Sequence, residues 1–412
     1  MKSPEDFSML DPKVSSEPWD LYQVLHEQCP VYQMPETGAF VVTRYEDLRA
    51  VLKNHEAFSS DVGSLGGGQF AGIHREILEN GGGWPHVSTL QRTDPPIHDR
   101  YRKLLDRVFT ISRVRELTSH IDQVVDLLID RFVDRGECEF NDEFAMPMPG
   151  IIIAEQLGLD AGKVETFKKW ADAMLGAARA AVATEDEVRA NAEMELEAQL
   201  FLADIFEKRR KQPSDDLMSA LVHSHGEDEE PLTMAELQNV MHQLITGGFE
   251  TTQTAINHGM WTLIRHPELQ NKLREDESLI KPFVDEVLRW ESPVQFLARR
   301  AVQDVKMGDT LITKDSMVLV GYGAANRDKE KFECPHQFDI DRRNAGANLA
   351  FGSGKHFCPG ALLAKQEMMS SFKSLLDRLE DVKLAKPLPE PVHRFSLFFM
   401  PMHDFYISFK KR

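Results

Sequence analysis

The chain has 412 residues, with 48 Lys or Arg against 66 Asp or Glu, and its formal net charge is −18. A surface this acidic repels the phosphates of nucleic acids and anionic membranes, so neither is expected as a partner. Hydrophobic residues make up 42% and charged residues 28%, which is an ordinary composition for a soluble globular protein.

The first residues of the chain and the spacing of its cysteines show no feature of a secreted protein. The first twenty residues are polar and acidic, and they lack the basic start and apolar run of a secretory signal. No stretch approaches the roughly 18 apolar residues that a membrane span needs. The four cysteines are widely spaced and form no CxxC pair. These features predict a cytoplasmic protein with reduced thiols and no membrane span.

In chain order, the predicted elements run from a little β structure through many helices to a little β structure. Residues 39–45 mix β-branched and aromatic side chains and predict a strand. Two glycine clusters within 61–86 predict a loop with short helical pieces. Helical patterns dominate from about 97 to 290, strand-like pieces follow within 309–321, and residues 405–412 predict an edge strand.

No linker rich in Pro, Gly or Ser divides the chain. A length of 412 residues exceeds that of most single domains, but a large helical domain can reach it. The sequence therefore predicts one domain over residues 1–412, mainly α with a smaller β region.

A helix over about 233–265 has the clearest predicted boundaries. Thr233 and Glu236 have the spacing of a capping box, and Pro267 ends the helix. At about 1.5 Å per residue this helix is roughly 48 Å long. A helix of that length crosses a whole domain, so its middle is expected to be buried.

The middle of this helix carries residues that helices disfavour. Gly247 and Gly248 each cost about 1 kcal/mol relative to Ala, and a buried Glu250 costs more unless it is paired or protonated. One interpretation is a glycine pair for tight packing, with Glu250 on a solvated face. The other interpretation places a notch at Gly247 on the same helix face as the Thr251 hydroxyl, with the carboxyl group of Glu250 beside them. Such a group could hold a small molecule and relay protons to it.

Cys358 lies in a glycine-rich segment just before a predicted helix. Gly352, Gly354 and Gly360 would let the backbone approach a flat object closely and direct N–H groups at the sulfur. A helix N-terminus also favours a thiolate over a thiol. From the residues alone, a buried cysteine kept for packing and a thiolate metal ligand remain equally open.

Several long motifs resemble those of the cytochrome P-450 superfamily, in the same order along the chain. Phe351-x-x-Gly354-x-x-x-Cys358-x-Gly360 matches its cysteine-ligand signature. The other matching segments are the HxxxR segment 98–102, the oxygen-activation segment 247–252, the ExxR segment 286–289, and the stretches 326–328 and 338–343. The chain thus resembles a bacterial-type soluble haem-thiolate monooxygenase from about residue 20 to 410. The resemblance implies a long central helix over the haem and a cysteine-ligand loop beneath it.

The cofactor that the resemblance implies is haem b, iron protoporphyrin IX, with O2 as the oxidant. Cys358 would hold the iron, and its anionic sulfur would favour O–O cleavage. The other residues implied at the haem are Phe351, Gly247 and the propionate cations His98, Arg102, Arg299 and His356. Arg300 is a rival for the place of Arg299.

The resemblance also implies a proton relay and a structural ion cluster. Thr251 and Glu250 would deliver protons to bound O2, although the family often has aspartate where Glu250 stands. Glu286 and Arg289 would form a structural pair under the haem, and Arg342 is the predicted third member.

An acidic ferredoxin is the expected electron donor, supplied in turn from NAD(P)H, because the chain contains no reductase domain. The basic residues expected near its docking face are Arg100, Lys103, Arg107, Lys355 and Lys365. A solvated helix face is the plainer interpretation of the basic residues between 100 and 115. The protein is expected to act as a monomer.

The substrate pocket implied by the resemblance is mostly apolar and suits a small lipophilic substrate. Phe296 and Phe398 are its predicted apolar members, and Gln243, Thr246 and Gln295 are polar exceptions. These three either bond the backbone or water, or one of them orients a substrate oxygen.

Three functions are compatible with these motifs. The first is hydroxylation or a related oxidation in which one atom of O2 enters the substrate, with electrons from a ferredoxin. The second is a peroxygenase driven by peroxide, and the third is a non-catalytic haem-binding sensor. The Glu250–Thr251 pair favours the first, and no output domain supports the third.

Overall fold

The structure is a computed structural model that describes residues 2–63, 70–156, 164–176, 183–223 and 230–412. It is mainly α-helical with a smaller β region, which confirms the predicted fold class. In chain order the described α-helices are α1 Pro12–Ser16, α2 Trp19–Gln28, α3 Tyr45–Lys53, α4 Ala71–Asn80, α5 Ile97–Val108, α6 Ile111–Asp130, α7 Pro147–Gln156, α8 Val164–Gly176, α9 Glu185–Lys211, α10 Leu217–His223, α11 Met234–Arg265, α12 Pro267–Glu275, α13 Ile280–Trp290, α14 Tyr322–Ala325 and α15 Ala361–Arg378.

The described strands are short, between two and six residues. They are β1 Val31–Gln33, β2 Phe40–Val42, β3 Phe58–Ser59, β4 Glu137–Glu139, β5 Phe296–Ala301, β6 Val305–Met307, β7 Thr310–Ile312, β8 Met317–Gly321, β9 Leu379–Leu384 and β10 Tyr406–Lys411.

The chain divides into two compact units. The first contains the residues up to Ser60 together with Val114–Met148 and Glu250–Arg412. The second contains Asp61–Arg113 and Pro149–Phe249. A single catalytic domain over residues 1–412 stays a prediction.

The larger sheet lies in the first unit and has the order β1-β2-β8-β5-β3. Its strands pair antiparallel except β2 with β8, which run parallel. The strand predicted over 39–45 is shorter than expected, because the chain turns after Val42 and Arg44 becomes the N-cap of α3. The apolar side of α3, with Leu48 and Val51, then packs with the sheet residues Val318 and Val320 in one buried cluster.

A second sheet of the first unit has the order β4-β10-β9. The prediction of an edge strand at the end of the chain was wrong, because β10 lies between two antiparallel partners. Its Ile407 and Phe409 side chains are buried, while Lys410 and Lys411 are exposed.

Helix α11 has the predicted bounds and the predicted cap. The Thr233 amide donates to Glu236 Oε2 at 2.7 Å, and the Glu236 amide donates to Thr233 Oγ1 at 3.3 Å. This reciprocal pair satisfies two backbone N–H groups that would otherwise lack partners at the helix start. The helix ends at Arg265, and Pro267 opens α12.

Helices α11 and α15 approach each other closely in the first unit. A Cβ built on Gly259 would lie 2.1 Å from Cζ of Phe372, so only glycine fits without a shift of the ring. Helix α15 begins at Ala361 with Gly360 as its N-cap, so it starts slightly later than directly after Cys358. None of the helices in the described ranges combines the length and apolar character that a membrane crossing requires.

Candidate functional site

The cysteine loop of the first unit folds back on itself tightly. The Cys358 amide donates to the Phe351 carbonyl oxygen at 2.9 Å. Gly352 and Gly354 both have φ of +73°, a left-handed conformation that other residues rarely adopt. A Cβ on Gly354 would also lie 2.9 Å from the Leu52 carbonyl oxygen. The glycines are therefore required by the path of the loop itself.

The Cys358 sulfur lies at the entry to helix α15. The Ala361 amide donates to the Cys358 carbonyl oxygen at 3.4 Å, and a Cβ built on Gly360 would lie 3.9 Å from Sγ. Cys358 is half-buried, whereas cysteines retained for packing are usually fully buried. Its position at a helix start favours the thiolate, so the donor set fits a haem iron.

Arg299 and its rival Arg300, both on strand β5, have different environments. The Arg299 side chain is 6% exposed and donates to the Ala298 carbonyl oxygen at 2.8 Å. The Arg300 side chain is 42% exposed and pairs with Asp315 at 3.1 Å. The interior position belongs to Arg299, which suits a buried propionate better than the surface pair does.

Two further groups stand near the cysteine loop within the first unit. His356 Nε2 lies 3.0 Å from Ser60 Oγ. The Tyr322 hydroxyl hydrogen-bonds Arg299, and burial raises the pKa of Tyr322 although the guanidinium opposes the shift. Sequence reasoning missed Ser60 and Tyr322, since neither stands in a motif that signals an anion site.

In the second unit, His98 and Arg102 lie one turn apart on α5, as predicted from their spacing. His98 is 1% exposed, with Nδ1 at 3.4 Å from Asp99 Oδ1. Arg102 donates from Nε to Asp106 Oδ1 at 2.7 Å. A buried imidazole and a half-buried guanidinium on one helix form a pair of hydrogen-bond donors that suits a carboxylate.

The two central glycines of α11 have different surroundings. A Cβ on Gly248 would lie 2.4 Å from Ile153 Cδ1, so this glycine permits close packing. A Cβ on Gly247 would meet nothing within 4 Å, which leaves the predicted notch on the helix. Glu250 is 7% exposed, so the interpretation that placed it on a solvated face was wrong. Thr251, four residues after Gly247, is half-buried.

The structure brings Glu286, Arg289 and Arg342 together in the first unit. Arg289 donates from Nε and Nη2 to the two Glu286 oxygens, each at 2.7 Å. Arg342 Nε adds a bond of 3.0 Å to Glu286 Oε1. The side chains of Glu286 and Arg289 are 0% exposed, and Arg289 also donates to the carbonyl oxygens of Asn326 and Pro335 at 2.9 Å. The cluster therefore fixes the segments that lead to the cysteine loop.

Two polar pocket candidates of the second unit have partners within the protein. Gln243 donates from Nε2 to Thr89 Oγ1 at 2.9 Å and accepts from the Gln91 amide at 3.0 Å. The Thr246 hydroxyl donates to the His242 carbonyl oxygen, one helical turn earlier, at 2.8 Å. These contacts agree with the interpretation that such groups bond the protein.

The candidates of the first unit form a buried network. Gln295 is 2% exposed, and its Oε1 accepts from the Tyr22 hydroxyl at 2.7 Å. The backbone N–H of Gln295 donates to the Phe398 carbonyl oxygen at 2.8 Å. Phe296 is 3% exposed and meets the Tyr22 ring edge-on at 6.0 Å. A role for these residues in substrate binding stays a prediction.

Sequence reasoning also missed Glu367, an acid in α15 that is 2% exposed. Its Oε1 has no hydrogen-bond partner in the part of the chain that the structure describes. Burial raises the pKa of Glu367 from 4.5 to about 8. The sequence did contain a signal for this burial. Glu367 follows Leu363 by four residues, so both lie on the buried side of α15.

Glu367→Gln is expected to raise the melting temperature more at alkaline than at acidic pH. Between the unfolded pKa of 4.5 and the folded value near 8, the folded chain keeps a proton that the unfolded chain loses. Stability therefore falls by up to about 1.4 kcal/mol per pH unit across that window, and glutamine removes this loss. Melting curves at several pH values measure it, with the exposed Glu380→Gln as the control. An equal gain at all pH values would contradict the prediction.

Known proteins with the same features were identified by sequence and by structure. The family model for cytochrome P-450 matches residues 168–407. Cytochrome P-450 107B1 of Saccharopolyspora erythraea is 34% identical over 363 residues, covering 87% of this chain and 86% of that protein. The 6-deoxyerythronolide B hydroxylase of the same organism is 33% identical over 384 residues, covering 91% of this chain and 92% of that protein.

The fold agrees with these relatives. The structure of cytochrome P-450 CREJ in complex with (4-ethylphenyl) dihydrogen phosphate matches with a TM-score of 0.89 and 27% identity, over 98% of this chain and 100% of that one. The mainly helical architecture is thus the cytochrome P-450 fold. On sequence and structure together, this chain belongs to the cytochrome P-450 family, whose members are monooxygenases that use haem b and O2.

Proposed function

We propose that this enzyme inserts one oxygen atom from O2 into a small lipophilic molecule, with electrons that pass from NAD(P)H through a ferredoxin. The observation that carries the proposal is the centre of α11, where the open notch at Gly247 is followed by the buried Glu250 and by Thr251. A buried acid next to a hydroxyl, beside an open notch at the centre of a long helix, supplies the groups that a proton relay needs.

Haem, when bound, supplies an iron at which O2 is reductively activated. Cys358 would hold that iron as a thiolate, and its negative charge would favour O–O cleavage. By the motifs of the family, Arg299 and His356 would bind a propionate by charge-assisted hydrogen bonds, and His98 and Arg102 are proposed for the same role. Each of these cations lies on a helix or strand or in the tight cysteine loop, which limits its freedom.

The proton path would use two neighbouring side chains of α11. The Thr251 hydroxyl would donate a hydrogen bond to the oxidant or to an ordered water, and Glu250 would pass protons to it from the solvent side. General acid catalysis requires hydrogen-bond contact in the reacting complex. Glutamate is longer than the aspartate that the family often has at this position, so it would reach a different set of atoms.

The electron donor is proposed to dock on the side of the cysteine loop. Lys103, Arg107 and Lys355 are exposed, and cations of this kind attract an acidic ferredoxin. Arg100 pairs with Glu236 at 2.8 Å and Lys365 with Asp285 at 2.6 Å, so the charge of each is partly neutralised within the chain.

The substrate is proposed to be lipophilic, since Phe296 and Phe398 are the apolar residues assigned to the pocket and Gln295 is engaged with the protein. 6-Deoxyerythronolide B is a rational first probe because a relative is named for its hydroxylation. A terpenoid, a steroid and a fatty acid complete the panel, and a shift of the haem Soret band reports displacement of the iron's water.

Turnover of such a substrate tests the proposal with wild-type protein and Thr251→Ala. The wild type is expected to form product faster with ferredoxin, reductase, NAD(P)H and O2 than with hydrogen peroxide alone. Thr251→Ala should lower product formed per NAD(P)H at least about 10-fold, since positioned proton transfer contributes about 10²–10⁴-fold. NAD(P)H should still be consumed, with peroxide released instead of product.

Thr262→Ala is the matched control, because the Thr262 hydroxyl bonds the His258 carbonyl oxygen at 2.8 Å, further along the same helix. It should leave the product yield unchanged. Faster wild-type turnover with peroxide than with donor and O2 would instead support a peroxygenase. Undiminished coupling in Thr251→Ala would remove Thr251 from the proton path.

A further inference from the structure

Three side chains of the second unit converge away from the cysteine loop and its motifs. His74 lies in α4, His86 lies in the segment before α5, and Glu195 lies in α9. Glu195 contacts both imidazoles, with Oε2 at 3.0 Å from His74 Nε2 and Oε1 at 2.6 Å from His86 Nε2. One ligand atom from each of the three lies within 4.8 Å of the others. The three ligand atoms are therefore close enough together to bind one ion.

The segment that carries His86 is fixed to α9 and α11. The Trp84 amide donates to Gln199 Oε1 at 2.8 Å, and Gln199 Nε2 donates back to the Trp84 carbonyl oxygen at 3.3 Å. Asn239 Nδ2 donates to the Pro85 carbonyl oxygen at 3.2 Å. A Cβ on Gly83 would lie 2.7 Å from Gln199 Oε1, so glycine permits this close approach. The position of His86 is therefore preorganised.

We propose that His74, His86 and Glu195 bind a divalent transition-metal ion, of which Zn²⁺ fits best. Two imidazoles and one carboxylate form a common protein ligand set for Zn²⁺, with the fourth position left to water. Glu195 is 2% exposed, so its negative charge needs a nearby cation. His86 is the exposed member, which gives the ion a route from solvent.

A fourth group beside the cluster supports a ligand independently. The ring of His242 lies 5.4 Å from that of His86. His242 hydrogen-bonds the backbone of Met174, while its Nε2 is buried and has no partner among the described residues. The Met174 bond therefore uses Nδ1. An imidazole that donates through one nitrogen keeps a lone pair on the other, which is the form that binds a metal or its water.

Such a site would join α4 and the segment after it to α9. Without metal, hydrogen bonds between the two imidazoles and the Glu195 carboxylate hold these elements together at this point. These bonds weaken if the protonation of the three groups changes. A bound ion replaces them with coordination bonds to all three elements. The expected consequence is a metal-dependent gain in melting temperature of the haem-loaded protein.

Zinc binding to tag-free, haem-loaded protein after chelator dialysis tests the proposal. We expect titration with ZnCl2, followed by calorimetry and elemental analysis, to give one zinc per haem. His74→Ala, His86→Ala and Glu195→Gln should each weaken the affinity by about 10-fold or more without loss of haem. X-ray absorption at the zinc edge should show nitrogen and oxygen ligands and no sulfur.

The matched control is His403→Ala, which removes an imidazole paired with Asp404 at 2.7 Å on the surface. Its zinc affinity should equal that of the wild type. The proposal would be overturned by the absence of a saturable site, by equal affinities in Glu195→Gln and His403→Ala, or by sulfur ligands at zinc. If an alanine variant does not fold, Glu195→Gln and His74→Gln, which change little volume, decide the question.

Discussion

Glu286→Ala is expected to prevent normal haem incorporation. The substitution removes the carboxylate to which the Arg289 guanidinium donates two hydrogen bonds of 2.7 Å. The Arg289 side chain is 0% exposed, so its charge would be left buried without this partner. Arg342 loses the same partner. Breaking a buried ion pair on one side typically costs about 3–5 kcal/mol, a large part of the total stability of a protein. The segments that this cluster joins lead to the cysteine loop, so the loop should lose its shape first.

Haem absorbance per mole of purified protein measures this effect. Glu277→Ala is the matched control, because the Glu277–Lys373 pair, at 2.9 Å, has side chains that are 59% and 53% exposed. Exposed pairs contribute about 0–1 kcal/mol, so this variant should load haem normally. A Glu286→Ala protein with full haem content and activity would defeat the structural role of the cluster.

Cys358→His is expected to abolish turnover even if haem is retained. A neutral imidazole can hold iron, but it cannot supply the electron density that an anionic sulfur gives and that favours O–O cleavage. Product formation with ferredoxin, NAD(P)H and O2 should fall to the background rate. Cys334→Ser, at an exposed cysteine, should keep wild-type turnover. Retained monooxygenase activity in Cys358→His would contradict the assignment of the ligand.

Local patterns predicted the features that depend on near neighbours in sequence. The capping box of Thr233 and Glu236 and the end of α11 before Pro267 depend on residues a turn or less away. The pairing of Glu286 with Arg289 was implied by the family resemblance, and their spacing of one helical turn is compatible with it. Such contacts form in any chain that makes the helix, so the sequence is sufficient to predict them.

Features set by distant partners escaped prediction. β10 is a central strand because β4 and β9 pair with its two sides, and no pattern within 405–412 reveals this. The resemblance assigned Gln295 to the pocket, but its side chain accepts a hydrogen bond from the Tyr22 hydroxyl, 273 positions away. The cluster of His74, His86 and Glu195 joins elements up to 121 positions apart.

The remaining site residues were predictable only because the motifs of a family stand in this chain. Cys358 alone left packing and ligation equally open, and the half-buried sulfur at the start of α15 now favours ligation. Arg299 and Arg300 carry the same charge, so charge alone could not decide which of them is the propionate ligand. The pairing of Arg300 with Asp315 at the surface separates them, since side-chain direction along a strand depends on the sheet that contains it.

The absorption spectrum of the reduced wild-type protein under carbon monoxide tests the central claim, that the Cys358 thiolate holds the haem iron. The predicted result is a Soret band at the long-wavelength position characteristic of thiolate ligation, which Cys358→His moves to the position characteristic of imidazole ligation. A wild-type band of the imidazole type, or a spectrum unchanged in Cys358→His, would contradict the claim.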